Sequence, residues 1–258
     1  MNLNFCFIGA GNLGTHLSTT LVKSGFTISQ VYSKTEQSAK TLAEKVHSSY
    51  TAEVNDIDTT ADIFVVALKD DFFDEVLSKI DFQNKLLIHC AGSLSLSILE
   101  KYSSNIGVLY PLQTFSKARD INFSTIPVFI EANSQTNEEM ILSIARKIST
   151  NVSILNSEKR QILHVSAVFA CNFVNYMYTV AADLLESNEI LFEVIRPLIM
   201  ETAEKVMTVE PKKVQTGPAV RFDKKIMTKH QELLNNNKVY QELYMSLSKG
   251  IFEFYKNS

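Results

Sequence analysis

Cys6-Phe7-Ile8-Gly9-Ala10-Gly11-Asn12-Leu13-Gly14 decides how this chain is read. An apolar run over residues 3–8 ends in three glycines spaced G-x-G-x-x-G. Helical spacing follows at once, with Leu13, Leu17 and Leu21 four apart before Gly25 stops the pattern. Each glycine has its own physical reason. Gly9 permits a tight turn, Gly11 lets a pyrophosphate approach bare backbone, and Gly14 lets the helix pack closely on the strand. The phosphates would rest on the positive end of the helix that begins near Asn12, with Ala10 and Leu13 completing the loop. A second strand over residues 27–32 follows, so strand, glycines, helix and strand arrive in the order a dinucleotide site needs. The plainer alternative is a structural turn in an unrelated α/β fold.

Working outward, residues 36–46 are helical and 49–52 suit a short strand. The run Ile63-Phe64-Val65-Val66-Ala67-Leu68 is apolar throughout, as expected of a parallel strand covered on both faces. Asp70 or Asp71 is placed to cap a helix running to about residue 80. Further strands are expected over 86–89, 106–110 and 127–131. This alternation predicts an α/β fold with a mainly parallel sheet. From about residue 156 the pattern turns helical, and no glycine occurs between Gly107 and Gly217. We expect helices over 157–187, over 189–209 with an interruption near Pro197, over 223–235 and over 239–255, with a connector at 211–218. The chain divides on this reading into a nucleotide-binding domain, 1–154, and an all-α domain, 155–258.

Composition narrows the function classes. With 45% hydrophobic and 21% charged residues in 258, a sizeable core is expected and wholesale disorder is not. Twenty-five basic against 28 acidic residues give a net charge of −3, which argues against nucleic acid as a partner. Eight glycines and five prolines exclude collagen-like and proline-rich classes. Cys6, Cys90 and Cys171 are odd in number and far apart. They read as buried small hydrophobes in a reducing compartment, and no secretory leader is visible, so a cytoplasmic location is expected. After Arg160 no Asp, Glu, Lys or Arg appears until Asp183. That stretch is long enough to cross a membrane, but it carries His164, Ser166, Asn172, Asn175 and Thr179. We read it as the central helix of a soluble helical domain.

The end of the second strand bears on the choice of dinucleotide. Sites for NAD usually place a carboxylate there for the ribose 2′-hydroxyl, whereas this chain has Tyr32-Ser33-Lys34-Thr35. Ser33 can bond a 2′-phosphate and Lys34 can neutralise it, so NADP is favoured and NAD remains open; Lys34 could equally be a solvated loop lysine. The loop at Leu68 should cross the nucleotide, with Lys69 and Asp70 beside it. His89 either approaches the reacting end of the cofactor or is a satisfied histidine at a strand end. Tyr110 and Gln113 could face the cleft from the loop pinned by Pro111. His164 and Asn172 are eight apart and share a helical face. There they either line a cleft, where His164 could give a proton and Asn172 orient the acceptor, or form a packed polar core. Arg221 could clamp a carboxylate or pair with Asp223 or Glu210. Asp223 stands where a helix cap would stand, and His230 lies seven beyond it. No metal site is expected, because these groups lack ligand spacing. Neither G-x-S-x-G nor a P-loop lysine occurs.

The chain as a whole resembles the Rossmann-like proteins that carry a DUF2520 C-terminal domain, relatives of pyrroline-5-carboxylate reductase, ketopantoate reductase and 6-phosphogluconate dehydrogenase. The stretches that carry the resemblance are Phe7 to Gly14, His89-Cys90-Ala91-Gly92-Ser93-Leu94, Tyr110-Pro111-Leu112-Gln113-Thr114-Phe115, and Thr216 to Asp223 with His230. It implies an N-terminal NAD(P)-binding domain, a helical domain that forms a homodimer, and a cleft between them. This chain departs from the family at Tyr110, where histidine is common, at Ala91, where serine is common, and at Phe222, where glycine is common. No Lys-x-x-x-Asn pair of the hydroxyacid dehydrogenases occurs between His164 and Asn175. The expected activity is NADP-dependent hydride transfer to a small keto acid or cyclic imine. The alternative is a catalytically idle NADP-binding sensor or scaffold.

Overall fold

The structure is a computed structural model that describes residues 3–256. It forms two compact units, Met1–Asn172 and Phe173–Ser258.

The first unit is built on an eight-stranded sheet. Its elements are β1 (Asn4–Ile8), α1 (Asn12–Lys23), β2 (Thr27–Tyr32), α2 (Glu36–Val46), β3 (Ser49–Thr51), β4 (Ile63–Val66), α3 (Phe73–Leu77), β5 (Leu86–His89), β6 (Ile106–Pro111), β7 (Val128–Ala132), α4 (Gln135–Ile148), β8 (Val152–Ile154) and α5 (Ser157–Ala167). The strand order is β3-β2-β1-β4-β5-β6-β7-β8. The chain therefore crosses over between β3 and β4, and β1, which delivers the glycine loop, stands next to the crossing strand. Every pairing is parallel except β6 with β7, where Tyr110 faces Phe129 in an antiparallel ladder.

The unbroken apolar strands are explained by burial on both faces. Phe5 and Phe7 join Ile63, Val65, Leu86 and Ile88 in one core. Cys6 and Ile8 join Phe64, Val66 and Leu87 in the other. Successive side chains of a strand point to opposite faces, so a strand covered on both sides needs apolar residues at every position.

Several local expectations change. The helix expected to 80 is short, ending at Leu77. Neither Asp70 nor Asp71 caps it; instead Asp70 accepts a hydrogen bond from the Ser93 hydroxyl at 2.6 Å. Helix α4 and strand β8 were not foreseen. The α4 entrance is capped by Ser134, which accepts from the Asn137 amide.

The second unit contains α6 (Val174–Glu186), α7 (Arg196–Thr208), α8 (Pro211–Val214), α9 (Lys224–Leu233) and α10 (Lys238–Tyr255). Pro197 lies in the first turn of α7 rather than interrupting a helix, where its missing N–H costs nothing. Asp223 does cap α9, accepting from the Ile226 amide at 3.2 Å. Asn237, the last of three consecutive asparagines, caps α10 in the same way, accepting from the Tyr240 amide at 3.1 Å. Tyr240 on α10 donates to Asp183 on α6 at 2.9 Å. Phe222 sits in the left-handed region at φ 52 and stacks on Phe252. Glycine would hold that backbone without strain.

Ser157–Glu186 is one helix long and apolar enough to cross a membrane, with a mean hydropathy of 1.3, and none of its apolar window is buried. It is therefore not the centre of a core made by this chain. Ile162 keeps 70% of its surface exposed.

Candidate active site

The glycine loop is open. A Cβ on Gly9, whose φ is +120°, would fall 2.4 Å from the Ala67 carbonyl oxygen, and one on Gly14 would fall 2.4 Å from the Gly9 carbonyl oxygen. At Gly11 a Cβ would meet nothing within 4 Å. Gly9 and Gly14 thus answer to packing, while Gly11 leaves bare backbone facing free space. Gly11 is also the N-cap of α1, with no side-chain cap and no acidic residue in the first turn. The first amides of α1, from Asn12, Leu13 and Gly14, consequently have no side chain competing for them, which is the arrangement an anion needs. Leu13 offers its backbone only, since its side chain packs on the core. The Asn12 side chain donates to the Phe115 carbonyl at 2.9 Å, and His16 bonds the Ser116 carbonyl, so the loop after β6 is tied to α1. Nothing in the sequence marked that tie.

Beside the loop is a cavity of about 200 Å³, walled by Gly9 to Gly11, Ser33, Lys34, Leu68 and Glu75 among others. Lys34 is largely exposed but has neighbours. It lies 3.5 Å from the Glu75 carboxylate and 5.0 Å from the centre of the Phe72 ring. Ser33 is held at the end of β2 by its amide, which donates to the Thr51 carbonyl. The donor set suits a dinucleotide: bare amides for the pyrophosphate, a hydroxyl and an ammonium for a 2′-phosphate, and the apolar Leu68 and Ala10 for a ring.

Three strands along from β1, on the same edge of the sheet, Tyr110 and His164 meet. The Tyr110 hydroxyl is 3.1 Å from His164 Nδ1, and the rings are edge to face. Gly92, in the loop after β5, makes room for them: a Cβ there would fall 2.7 Å from His164 Nδ1 and 2.8 Å from Tyr110 Cζ. Burial pushes the Tyr110 phenol up, while the Arg160 charge opposes that rise. Both residues line a cavity of about 430 Å³, together with Gln113, Cys171 and Asn172. His164 and Asn172 both line this cavity and neither is buried in a core. The helix widens into a π-helical turn at Val168–Phe173, which carries Cys171 and Asn172. Such turns recur at functional sites. Cys171 is exposed there, against the expectation of a buried thiol.

His89 stands apart. It is fully buried, its Nδ1 accepts from the Ala91 amide, and its Nε2 has no hydrogen-bond partner. Burial, helped by the nearby Arg160 charge, holds its pKa down at about 3. The imidazole is sealed beneath the loop and does not line the cavity, and with Nε2 unpartnered it is not fully satisfied at its strand end either. Arg221 and His230 belong to the helical unit. Arg221 is exposed and forms neither of the ion pairs expected with Asp223 or Glu210. His230 Nδ1 bonds the Tyr244 hydroxyl at 2.8 Å. Among the described residues no group of three or more metal-ligating side chains is found.

Residues 126–251 match the model of a domain of unknown function, DUF2520, and residues 4–92 match that of an NADP oxidoreductase, coenzyme F420-dependent. No curated protein matches the chain. Among solved structures, a putative NADP oxidoreductase from Bacteroides fragilis is 42% identical, with 98% of each chain covered and a TM-score of 0.93. An imine reductase from Myxococcus stipitatus in complex with NADP+ is 17% identical, covers 99% of this chain and 95% of its own, and has a TM-score of 0.73. A Plasmodium falciparum pyrroline carboxylate reductase with NADP bound is also 17% identical, with 97% and 98% covered and a TM-score of 0.58. The last two share the fold.

Proposed function

Since the chain belongs to the same family as the Bacteroides fragilis protein, we propose that it is an NADP(H)-dependent oxidoreductase acting on a small imine or keto acid. The observation that carries this reading is a juxtaposition on one sheet edge. A side-chain-free glycine cradle at the end of β1 and a hydrogen-bonded Tyr110–His164 pair at the end of β6 lie on the same edge, with β4 and β5 between them, the pair opening into a cavity large enough for a small molecule.

Gly9, Ala10, Gly11, Asn12, Leu13 and Gly14 would hold the cofactor's pyrophosphate, Ser33 and Lys34 its 2′-phosphate, and Leu68 the wall beside it. When bound, the nicotinamide supplies a hydride to the acceptor carbon. The chain's part is then to deliver a proton to the imine nitrogen or carbonyl oxygen. His164 is the donor in this reading, Tyr110 holds its ring by the Nδ1 bond, and Asn172 orients the acceptor. Arg221 is the candidate clamp for a substrate carboxylate. We assign nucleotide binding to residues 1–154 and the helical substrate and dimerisation role to 155–258.

The helical unit supports a homodimer. Among its described residues only Ala219 and Ser248 are buried, while Leu191, Leu198, Met207 and Leu233 keep between 67% and 83% of their surface exposed. A second copy is favoured over a membrane as cover. The first half of the long helix is tied into the sheet unit by Arg160, Gln161 and His164, which a spanning helix could not permit. Free thiols and a soluble dimer suit the cytoplasm.

The test is titration with NADPH and NADH by nicotinamide fluorescence, followed by turnover with 1-pyrroline-5-carboxylate and pyruvate as probes. NADPH should bind more tightly than NADH, and His164→Asn should lower kcat by about 10²-fold or more. No binding of either nucleotide at millimolar concentration would sink the reading. Binding without turnover over both probe classes would point to the idle sensor instead. Light scattering at micromolar protein should report a dimer.

A further inference from the structure

The proposed chemistry leaves one charge unused. Arg160 is completely buried, although a guanidinium remains charged at any accessible pH. Burial of such a group is unfavourable unless its hydrogen bonds are met; here the two terminal nitrogens are met from three separate segments of the chain, while Nε has no partner. Glu131 on β7 takes Nη1. The Leu94 carbonyl, in the loop after β5, accepts from Nη2 at 2.7 Å, and the Ser157 hydroxyl oxygen at the start of α5 accepts from it at 3.1 Å. Glu131 in turn accepts from the Ser157 amide at 3.0 Å and the Ser157 hydroxyl at 2.8 Å. One turn along α5 from Arg160 is His164. Two residues before Leu94 is Gly92, the floor on which His164 and Tyr110 rest. Gln161 adds a bond from α5 to the Ser93 carbonyl at 2.9 Å.

We propose that Arg160 is a positioning residue: it clamps the Gly92–Leu94 loop to the first turns of α5, setting His164 at hydrogen-bonding distance from Tyr110, and leaves a fixed positive charge behind that pair. The inference rests on the reductase reading of the site. An ion pair that only held the fold together could be replaced by apolar packing without loss of stability, but such a replacement would remove the charge next to Tyr110. The ionisable groups around Tyr110 are His164 and Arg160 on α5, Glu131 on β7, His89 on β5, which burial keeps neutral, and Asp70, held through Ser93.

The test compares Arg160→Lys with Arg160→Met in the full chain. Lysine keeps the charge and loses the fork; methionine loses both. Both variants should bind NADPH within about twofold of the parent and lose about tenfold or more in kcat on 1-pyrroline-5-carboxylate, with little change in KM, because geometry at the donor is lost and uniform binding is not. The Arg160 charge favours the phenolate of Tyr110. Its removal should therefore move the Tyr110 titration to higher pH in Arg160→Met and leave it in place in Arg160→Lys. Tyrosine ring carbons followed by NMR, with Tyr110→Phe to assign the signal, read the same shift without cofactor or turnover. Folded variants with unchanged kcat, or a Tyr110 titration that Arg160→Met does not move, would overturn the proposal. If Arg160→Met fails to fold, Glu131→Gln with Arg160→Lys carries the test, since losing the clamp from either side should lower kcat. Failure of the parent to bind NADPH would instead count against the reductase reading, and the NMR result would still decide this one.

Discussion

Phe64, on the central strand β4, is wholly buried edge-on against Phe82, whereas Leu198, on α7 of the same chain, keeps 67% of its surface exposed. The contrast extends to whole units. The sheet unit has two cores, one on each face, filled by residues that alternate along the strands. The helical unit buries only an alanine and a serine among its described residues and leaves many large apolar side chains open. Hydrophobic burial is the main favourable term in folding, so the first unit contains its own reason to be folded, and the second must obtain its reason from another surface. The division also separates the tasks: the cofactor cradle and the Tyr110–His164 pair both sit on the self-sufficient part.

The largest effect should come from testing that contrast directly. Phe64→Ala should cost about 3–5 kcal/mol in urea unfolding, as for other buried phenylalanines. Leu198→Ala should show a concentration-dependent loss well above about 0.5 kcal/mol if a second copy covers that side chain as proposed. A loss within that limit at every concentration would show that it faces solvent.

Acid should break the units unequally. His89, in the sheet unit, has its pKa held down from 6.5 to about 3. Between those values the unfolded chain binds the proton and the native one does not. The stability His89 contributes is therefore present above about pH 6.5 and lost as pH falls towards 3, at a slope approaching ~1.4 kcal/mol per pH unit. The helical unit's His230 is not sealed in this way. Unfolding measured against pH should steepen over that window and flatten in His89→Gln; an unchanged slope would remove His89 as the cause.

Within the glycine loop the same contrast recurs at small scale. Gly14→Ala drives a Cβ into backbone and should cost about 1–3 kcal/mol of stability. Gly11→Ala meets nothing and should change stability by less than about 0.5 kcal/mol, while weakening NADPH binding roughly tenfold by intruding where the phosphates lie. Equal effects of the two on stability would mean the loop is not open at Gly11.

Much of the sheet unit could be read from the residues, because burial on both faces leaves an apolar run that is hard to mistake. β2, α2 and β5 stand where periodicity and punctuation put them. α4 was missed because its first turn, Gln135-Thr136-Asn137-Glu138, is polar and its apolar residues come late. The antiparallel turn of β7 was missed because strand direction depends on the connection, not on composition. At the site, Tyr110 and His164 were each singled out, but their partnership spans 54 positions and no local pattern encodes it. Arg160 was invisible as a clamp for the same reason: Glu131 and Leu94 lie 29 and 66 positions away. The Lys34–Glu75 pair had no local signature either. Cys171 was misjudged because thiols are usually buried, and here the π-helical turn brings one to a cavity wall.

That turn has a consequence for what the chain tolerates. Between Val168 and Phe173 the helix takes up more residues per revolution than the segments on either side. The count of amino acids there acts as a phase setting for everything downstream. Deleting a single one would let the spiral return to its ordinary pitch with α6 facing nearly as before, because the wide turn absorbs one extra residue; deleting a second would swing all of α6 round by about 100°. Its greasy side would then point elsewhere, although every remaining side chain would be unchanged. In this segment, length is as much a part of the message as spelling.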